Sequence, residues 1–327
     1  MATERTVLPA DRRIAYTNYA RTALEKIIQI KGLDGTAVLT PAFNCHGTFN
    51  PLFEKYDITP VFVDVELPSM LPDRTAVSAR ADQADAVLLL HAFGLPAEMN
   101  FWVDFTRERG LLLIEDCARA LGATYDGEVV GSFGNAAFYS LMKVSPAMKG
   151  GAVVTKNEAA NLDLPPPSRE VSYYAPAVFG ARNEIPPALP MRALDGLNRH
   201  LFQSFIAEQF DRVTREHRGM ADRLRAELGD VIEFQPHREG RSYFWLSGTF
   251  CGDRDALFEY LDARDVPVYR VWDEPWAEQR NPDSFERQFP NSHTLARHVL
   301  HFPLRELDAD AIEEVIRIVR EFCDKRL

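Results

Sequence analysis

Short, evenly apolar runs alternate with amphipathic stretches through the first half of the chain. Residues 37–40, 60–65, 86–90, 111–115, 136–140 and 151–155 are too short for surface helices and read as buried strands. Between them, 21–31 and 98–109 carry apolar residues at helical spacing. The alternation predicts an α/β fold around a mostly parallel sheet.

The regularity stops after Asn157. Residues 162–190 hold Pro165-Pro166-Pro167, Pro176, Pro186-Pro187 and Pro190, with Tyr173-Tyr174 between them. Its aromatic content is high for a flexible linker, so lining a substrate cleft or reaching a partner subunit competes with the linker reading. A long helix is expected over 201–228, with Phe202, Phe205, Ile206, Phe210 and Val213 on its apolar face. Strands follow at 243–250 and 266–271, then a final helix over 308–323. The organisation expected is 1–195 as a large domain, 196–228 as a connecting helix and 229–327 as a small C-terminal domain.

A net charge of −11 argues against nucleic acid or an anionic membrane surface as partner. No apolar run approaches the roughly 20 residues that span a bilayer, and the N-terminus does not resemble a signal peptide. Cys45, Cys117, Cys251 and Cys323 lack metal-ligand spacing and read as reduced, mostly buried thiols of a cytoplasmic protein. His293, His298 and His301 read as scattered surface histidines, and no metal is expected.

Two residues carry candidate chemistry. Asp116 ends the run 111–115, at the carboxyl end of a strand, where open α/β sheets bind ligands. A carboxylate there can hold a protonated ring nitrogen such as that of pyridoxal 5'-phosphate (PLP). It can equally cap a helix or bind a ribose, although no Gly-x-Gly-x-x-Gly precedes it. Lys143, one of seven lysines, follows the run 136–140 and stands three residues after Ser140. Partial burial there would leave its amine neutral and nucleophilic, although a lysine near Gly150-Gly151 can also be a solvated surface charge.

Taken in order, Thr59-Pro60-Val61-Phe62-Val63-Asp64-Val65, His91-Ala92-Phe93-Gly94-Leu95-Pro96-Ala97, Ile114-Glu115-Asp116-Cys117-Ala118, Gly131-Ser132-Phe133-Gly134, Phe138-Tyr139-Ser140-Leu141-Met142-Lys143 and Gly150-Gly151-Ala152-Val153-Val154 resemble the DegT/DnrJ/EryC1/StrS family. Its members are largely fold-type-I, PLP-dependent sugar aminotransferases. The resemblance implies a large PLP-binding domain with a mostly parallel sheet, a smaller C-terminal α+β domain, and a homodimer with a shared active site. It makes Lys143 the internal-aldimine lysine, Asp116 the partner of the pyridine nitrogen and Ser140 a phosphate ligand.

Departures are visible at three places. Arg119 stands where the family has Gln or His near the cofactor's phenolic oxygen; it would stabilise the phenolate or reach a substrate phosphate. Ala20-Arg21 replaces the Gly-Thr pair that opens a phosphate-binding helix, whose N–H groups would still attract phosphate. Cys45 falls where an aromatic stacks on the ring, with Phe43 and His46 as alternatives. His46, Arg192, Asn198 and Arg199 are candidates for substrate contact or for loan to a neighbouring subunit. The implied reaction moves an amino group from glutamate or glutamine to a keto group of a nucleotide-linked sugar or a cyclitol. A dehydratase-like PLP enzyme and a non-catalytic relative are the alternatives.

Overall fold

The structure, a computed structural model, describes residues 7–17, 19–143, 150–156, 200, 202–203, 206–242 and 245–325. Nine strands form in its first half: β1 (Arg13–Thr17), β2 (Ala37–Pro41), β3 (Thr59–Val63), β4 (Ala86–Leu90), β5 (Leu112–Asp116), β6 (Thr124–Tyr125), β7 (Glu128–Val129), β8 (Ala136–Ser140) and β9 (Gly151–Thr155). Seven of them make one sheet in the order β1-β9-β8-β5-β4-β2-β3. Strands β8, β5, β4, β2 and β3 run parallel, while β9 is antiparallel to β8 and β1 antiparallel to β9.

The apolar runs are continuous because both faces of this sheet are covered. Successive side chains of a strand point to opposite faces, so Leu89 joins one apolar cluster with Leu39, Leu113 and Tyr139. Leu88 joins the other with Val38, Ile114 and Phe138. Pro60, which has no N–H to give, lies on β3 at the sheet's edge, where a proline is tolerated. Strand β1 is not among those the apolar runs predict, and Arg13–Thr17 completes the sheet by pairing with β9.

A second, antiparallel sheet joins β10 (Ile232–Phe234), β12 (Leu246–Phe250) and β13 (Val299–Phe302) in the order β10-β12-β13. Helices Asp211–Leu228, Arg254–Asp262 and Ala309–Asp324 share its apolar core. The last of them buries Ile312, Val315, Ile316, Ile318, Val319 and Phe322, and Asp308 caps it by accepting from the Ala311 amide at 2.8 Å. β11 (Arg241–Ser242) pairs with β6, which also pairs with β7.

The expected strand at 266–271 is reduced to an isolated bridge between Tyr269 and His301. Pro267 offers no donor, and Trp272 takes a left-handed φ of 55° that turns the chain away. The helix expected over 201–228 is a regular α-helix from Asp211, preceded by a π-helical turn at Ile206–Phe210. Phe202 and Phe210 are buried, as its apolar face predicts.

The two sheets are tied together by the segment before β13. Trp276 is fully buried against Phe49, Phe53 and Phe62 of the larger sheet's layers. Asp64 accepts from the Asn291 and Ser292 amides, at 2.9 and 2.8 Å, at the start of helix Pro290–His298. Among the described residues, no helix is long and apolar enough to cross a membrane. The proline-rich stretch 162–190, and with it Lys149, Arg192, Asn198 and Arg199, lies outside the described residues.

Candidate functional site

Strand β5 ends in two buried carboxylates, and the pleat sends them to different places. Glu115 accepts from the Gly131, Phe133 and Gly134 amides at 2.7, 2.9 and 2.6 Å, and its Oε2 lies 3.1 Å from His91 Nε2. His91 Nδ1 accepts from the Ala97 amide at 3.1 Å, so Nε2 carries the proton and donates to Glu115. The ligand atoms of His91, Glu115 and Cys117 lie within 4.8 Å of one another, yet the first two are spent on this network. It pins the Gly131–Gly134 loop and leaves no lone pair of His91 for a metal.

Asp116 is placed otherwise. Its Oδ1 accepts from the Ala118 amide at 2.9 Å, a turn in place of the helix cap considered from sequence. Among the described residues its other oxygen receives no hydrogen bond. Burial pushes its pKa up to about 7, against the lowering effects of the Ala118 amide and the Arg119 charge. Such a carboxylate gains from a cationic or N–H-bearing ligand.

Lys143 ends a 3-10 turn, Leu141–Lys143, that follows β8 directly. Among the described residues its amine makes no ion pair or hydrogen bond. Burial, then the charges of Arg119 and Arg305, bring its pKa down to about 8. About a tenth of it is therefore neutral at pH 7, far more than for an ordinary lysine. Arg305 holds this turn in place, donating to the Met142 carbonyl at 2.6 Å.

Ser140, buried at the end of β8, pairs in register with Gly151 of β9. A Cβ on Gly151 would lie 2.6 Å from the Ala20 nitrogen, so only glycine lets this strand approach the start of helix α1 (Ala20–Lys31). The helix's N-cap residue, Tyr19, supplies no side-chain cap. The start of α1, with Arg21 at its second position, thus lies against the strand that pairs with Ser140, and a helix N-terminus attracts anions.

Arg119 enters from the loop after β5. Its guanidinium carbon lies 5.0, 5.7 and 5.9 Å from the rings of Phe93, Trp272 and Trp245. Its Nη1 is 3.2 Å from His301 Nε2, and His301 Nδ1 is 2.9 Å from Ser247 Oγ. Burial lowers the guanidinium pKa to about 10. His301 is held well below the usual histidine range by burial and by the charges of Arg119 and Lys143.

The candidates fall in one region with few exceptions. Cys45, half-buried before helix α2 (His46–Lys55), is close enough for its thiol to act electrostatically on both Arg119 and Lys143. Phe43 is committed to the core, edge-on to Trp272 at 5.1 Å, so it does not take the ring-stacking place considered for it. His46, at the first position of α2, is half-buried. His301 is a correction: expected on the surface, it is buried on β13. A lone histidine inside the apolar run Val299-Leu300-His301-Phe302 was the available signal. Ser247, Trp245 and Arg305 had none, because their roles depend on the second sheet packing over the first. The cysteines are also less buried than expected: Cys117 is buried, Cys45 and Cys323 half-buried and Cys251 exposed.

The known proteins most informative for this chain agree with the geometry. A pleiotropic regulatory protein of Geobacillus stearothermophilus is 25% identical over 92% of this chain and 82% of its own length. A GDP-perosamine synthase of Caulobacter vibrioides is 28% identical over 77% of this chain and 70% of its own. The fold matches that of Spr1654 from Streptococcus pneumoniae in its PMP form, with a TM-score of 0.75 at 17% identity, covering 99% of this chain and 90% of that one. Solved relatives of this fold are fold-type-I aminotransferases. Residues 10–163, which include every strand of the seven-stranded sheet, match the sequence model of a PLP-dependent family. That model is of the DegT/DnrJ/EryC1/StrS aminotransferase family, to which this stretch, a little under half of the chain, is similar.

Proposed function

We propose that this aminotransferase takes an amino group from glutamate or glutamine and passes it to a keto group of a nucleotide-linked sugar or a cyclitol, with Lys143 as its catalytic residue. The observation that carries the reading is that three groups of residues complement three parts of PLP. Asp116 offers an acceptor to a protonated ring nitrogen. The cradle of Ser140, Ala20 and Arg21 offers donors to a phosphate, and Lys143 offers a partly neutral amine to an aldehyde. These residues fit the cofactor in charge and in hydrogen-bonding sense.

PLP, when bound, supplies the electron sink for the carbanion left when a Cα–H bond of the donor breaks. The chain supplies the rest. Lys143 Nζ, neutral when its proton is lost near pH 8, takes the proton from the donor's Cα. Asp116 keeps the ring nitrogen protonated, and the cradle fixes the phosphate. Cys45 lines the site beside Lys143, and His46 at the start of α2 is a candidate for substrate contact. We take 1–195 as the cofactor-binding unit, 196–228 as the connection and 229–327 as the cap, in a cytoplasmic homodimer to which Arg192 and Asn198 lend substrate contacts.

The test is the absorbance spectrum of the purified chain with added PLP, for the wild type and Lys143→Ala, before and after glutamate. A near-visible band that requires Lys143 and is bleached by glutamate is expected. No band in either protein would overturn the reading and favour a non-catalytic relative.

A further inference from the structure

Arg119 is a guanidinium on which Asp116 acts only through space, without a direct ion pair. Among the described residues no carboxylate comes within ion-pair distance of it, whereas the buried Arg254 pairs with Asp255 at 2.8 Å and donates to the Ala296 carbonyl at 2.8 Å. The partners Arg119 does have are three aromatic faces and one imidazole. An enclosed cation with only such neighbours is incompletely neutralised.

The imidazole fixes how the cation is presented. A guanidinium only donates, so His301 Nε2 must accept, and the proton of the neutral ring sits on Nδ1, donating to Ser247 Oγ at 2.9 Å. Phe93 and Trp245 flank the ring itself, with centroids at 5.6 and 5.8 Å. Ser247 and His301 thus hold Nη1 from the second sheet, leaving the Nε and Nη2 edge for a planar bidentate acceptor. The guanidinium is walled by aromatic rings and makes no ion pair among the described residues, and a carboxylate matches it in charge and shape. A phosphate is better served by the separate cradle at α1.

We propose that Arg119 binds a carboxylate of the substrate, with His301 and Ser247 as its positioning residues. This deepens the aminotransferase reading and rests on it. The carboxylate belongs either to the amino donor or to an acid-bearing acceptor; in both cases the group recognised is the same. Arg119 is then a substrate-binding residue and not the ligand of the cofactor's ring oxygen that its place in the sequence suggests.

The test measures dissociation constants by calorimetry for glutarate, which resembles glutamate without its amine, and for D-glucuronate, which resembles an acidic sugar acceptor. Both are titrated into the chain with and without PLP loaded, and PLP binding is measured alongside. Arg119→Gln is expected to weaken one of the two acids by about 30-fold, as befits a charge-assisted bidentate contact, while PLP affinity changes by less than about threefold. Weakening of glutarate assigns the subsite to the donor, and weakening of glucuronate assigns it to the acceptor. His301→Gln is expected to weaken the same acid about fivefold in the wild-type background and not at all in Arg119→Gln, a non-additivity that a merely structural role would not produce. Affinities for both acids unchanged in Arg119→Gln, or a loss of PLP affinity larger than that of either acid, would overturn the proposal. Failure of PLP to load at all would strike the aminotransferase reading separately, since the acids are also titrated without it.

Discussion

Glu115 and Asp116 are adjacent on one strand, both carboxylates and both buried, and their surroundings are opposite. Glu115 meets three backbone amides and a histidine. Asp116 meets one amide, and burial brings its pKa to about 7. A saturated buried carboxylate is part of the fold, because every donor around it would be left unpaired without it. An unsaturated one is costly while charged, and a proton or a cationic ligand relieves it. The difference separates architecture from chemistry one residue apart.

The largest expected effect breaks this pair on the chemical side. Asp116→Asn retains an oxygen for the Ala118 amide but loses the charge that keeps a ring nitrogen protonated. Turnover in the PLP-loaded protein should fall by about a thousandfold or more, on the order of 4 kcal/mol in the barrier, with little change in melting temperature. A steady-state assay with any accepted ketosugar, run beside thermal unfolding, checks this. Turnover within about tenfold of wild type would remove Asp116 from the site.

Glu115→Gln should do the reverse. A glutamine must turn its NH2 group toward donors, leaving at least one of the Gly131, Phe133 and Gly134 amides or His91 unpaired, at a cost of about 2 to 4 kcal/mol in stability. Chemical denaturation reads this directly as a lower midpoint with an unchanged slope. Stability unchanged within about 0.5 kcal/mol would mean that the loop is held by something other than this carboxylate.

The frame around this contrast was legible in the sequence alone. Runs such as 86–90 and 111–115 announce strands buried on both faces, and the carboxyl end of such a strand is where Asp116 gains meaning. Lys143 and Ser140 could be placed because both sit within one turn of a strand end. What sequence could not give was the difference between Glu115 and Asp116, since it depends on a loop sixteen or more residues downstream. It also missed β1, whose five residues gain their role only from pairing with β9. The surroundings of Arg119 were hidden for the same reason. Phe93, Trp245, Trp272 and His301 come from four separate segments brought together by packing of the smaller sheet on the larger.

The smallest effect sharpens the comparison through pH. Asp116 has a folded pKa near 7, above its ordinary value of 3.8, so between those values the folded protein without cofactor binds more protons than the unfolded chain. Its contribution to stability is therefore present at low pH and is lost as pH rises from about 4 through 7. Asn at this position carries no such proton. Asp116→Asn should accordingly be little different from wild type near pH 4 and more stable at pH 8, measured by denaturation of PLP-free protein. Loading PLP should shrink the difference, because a ring cation compensates the charge of Asp116 and leaves Asn without its partner. Parallel pH profiles for the two proteins would show that Asp116 is as well satisfied as Glu115, and the contrast between the two carboxylates would then have no functional content.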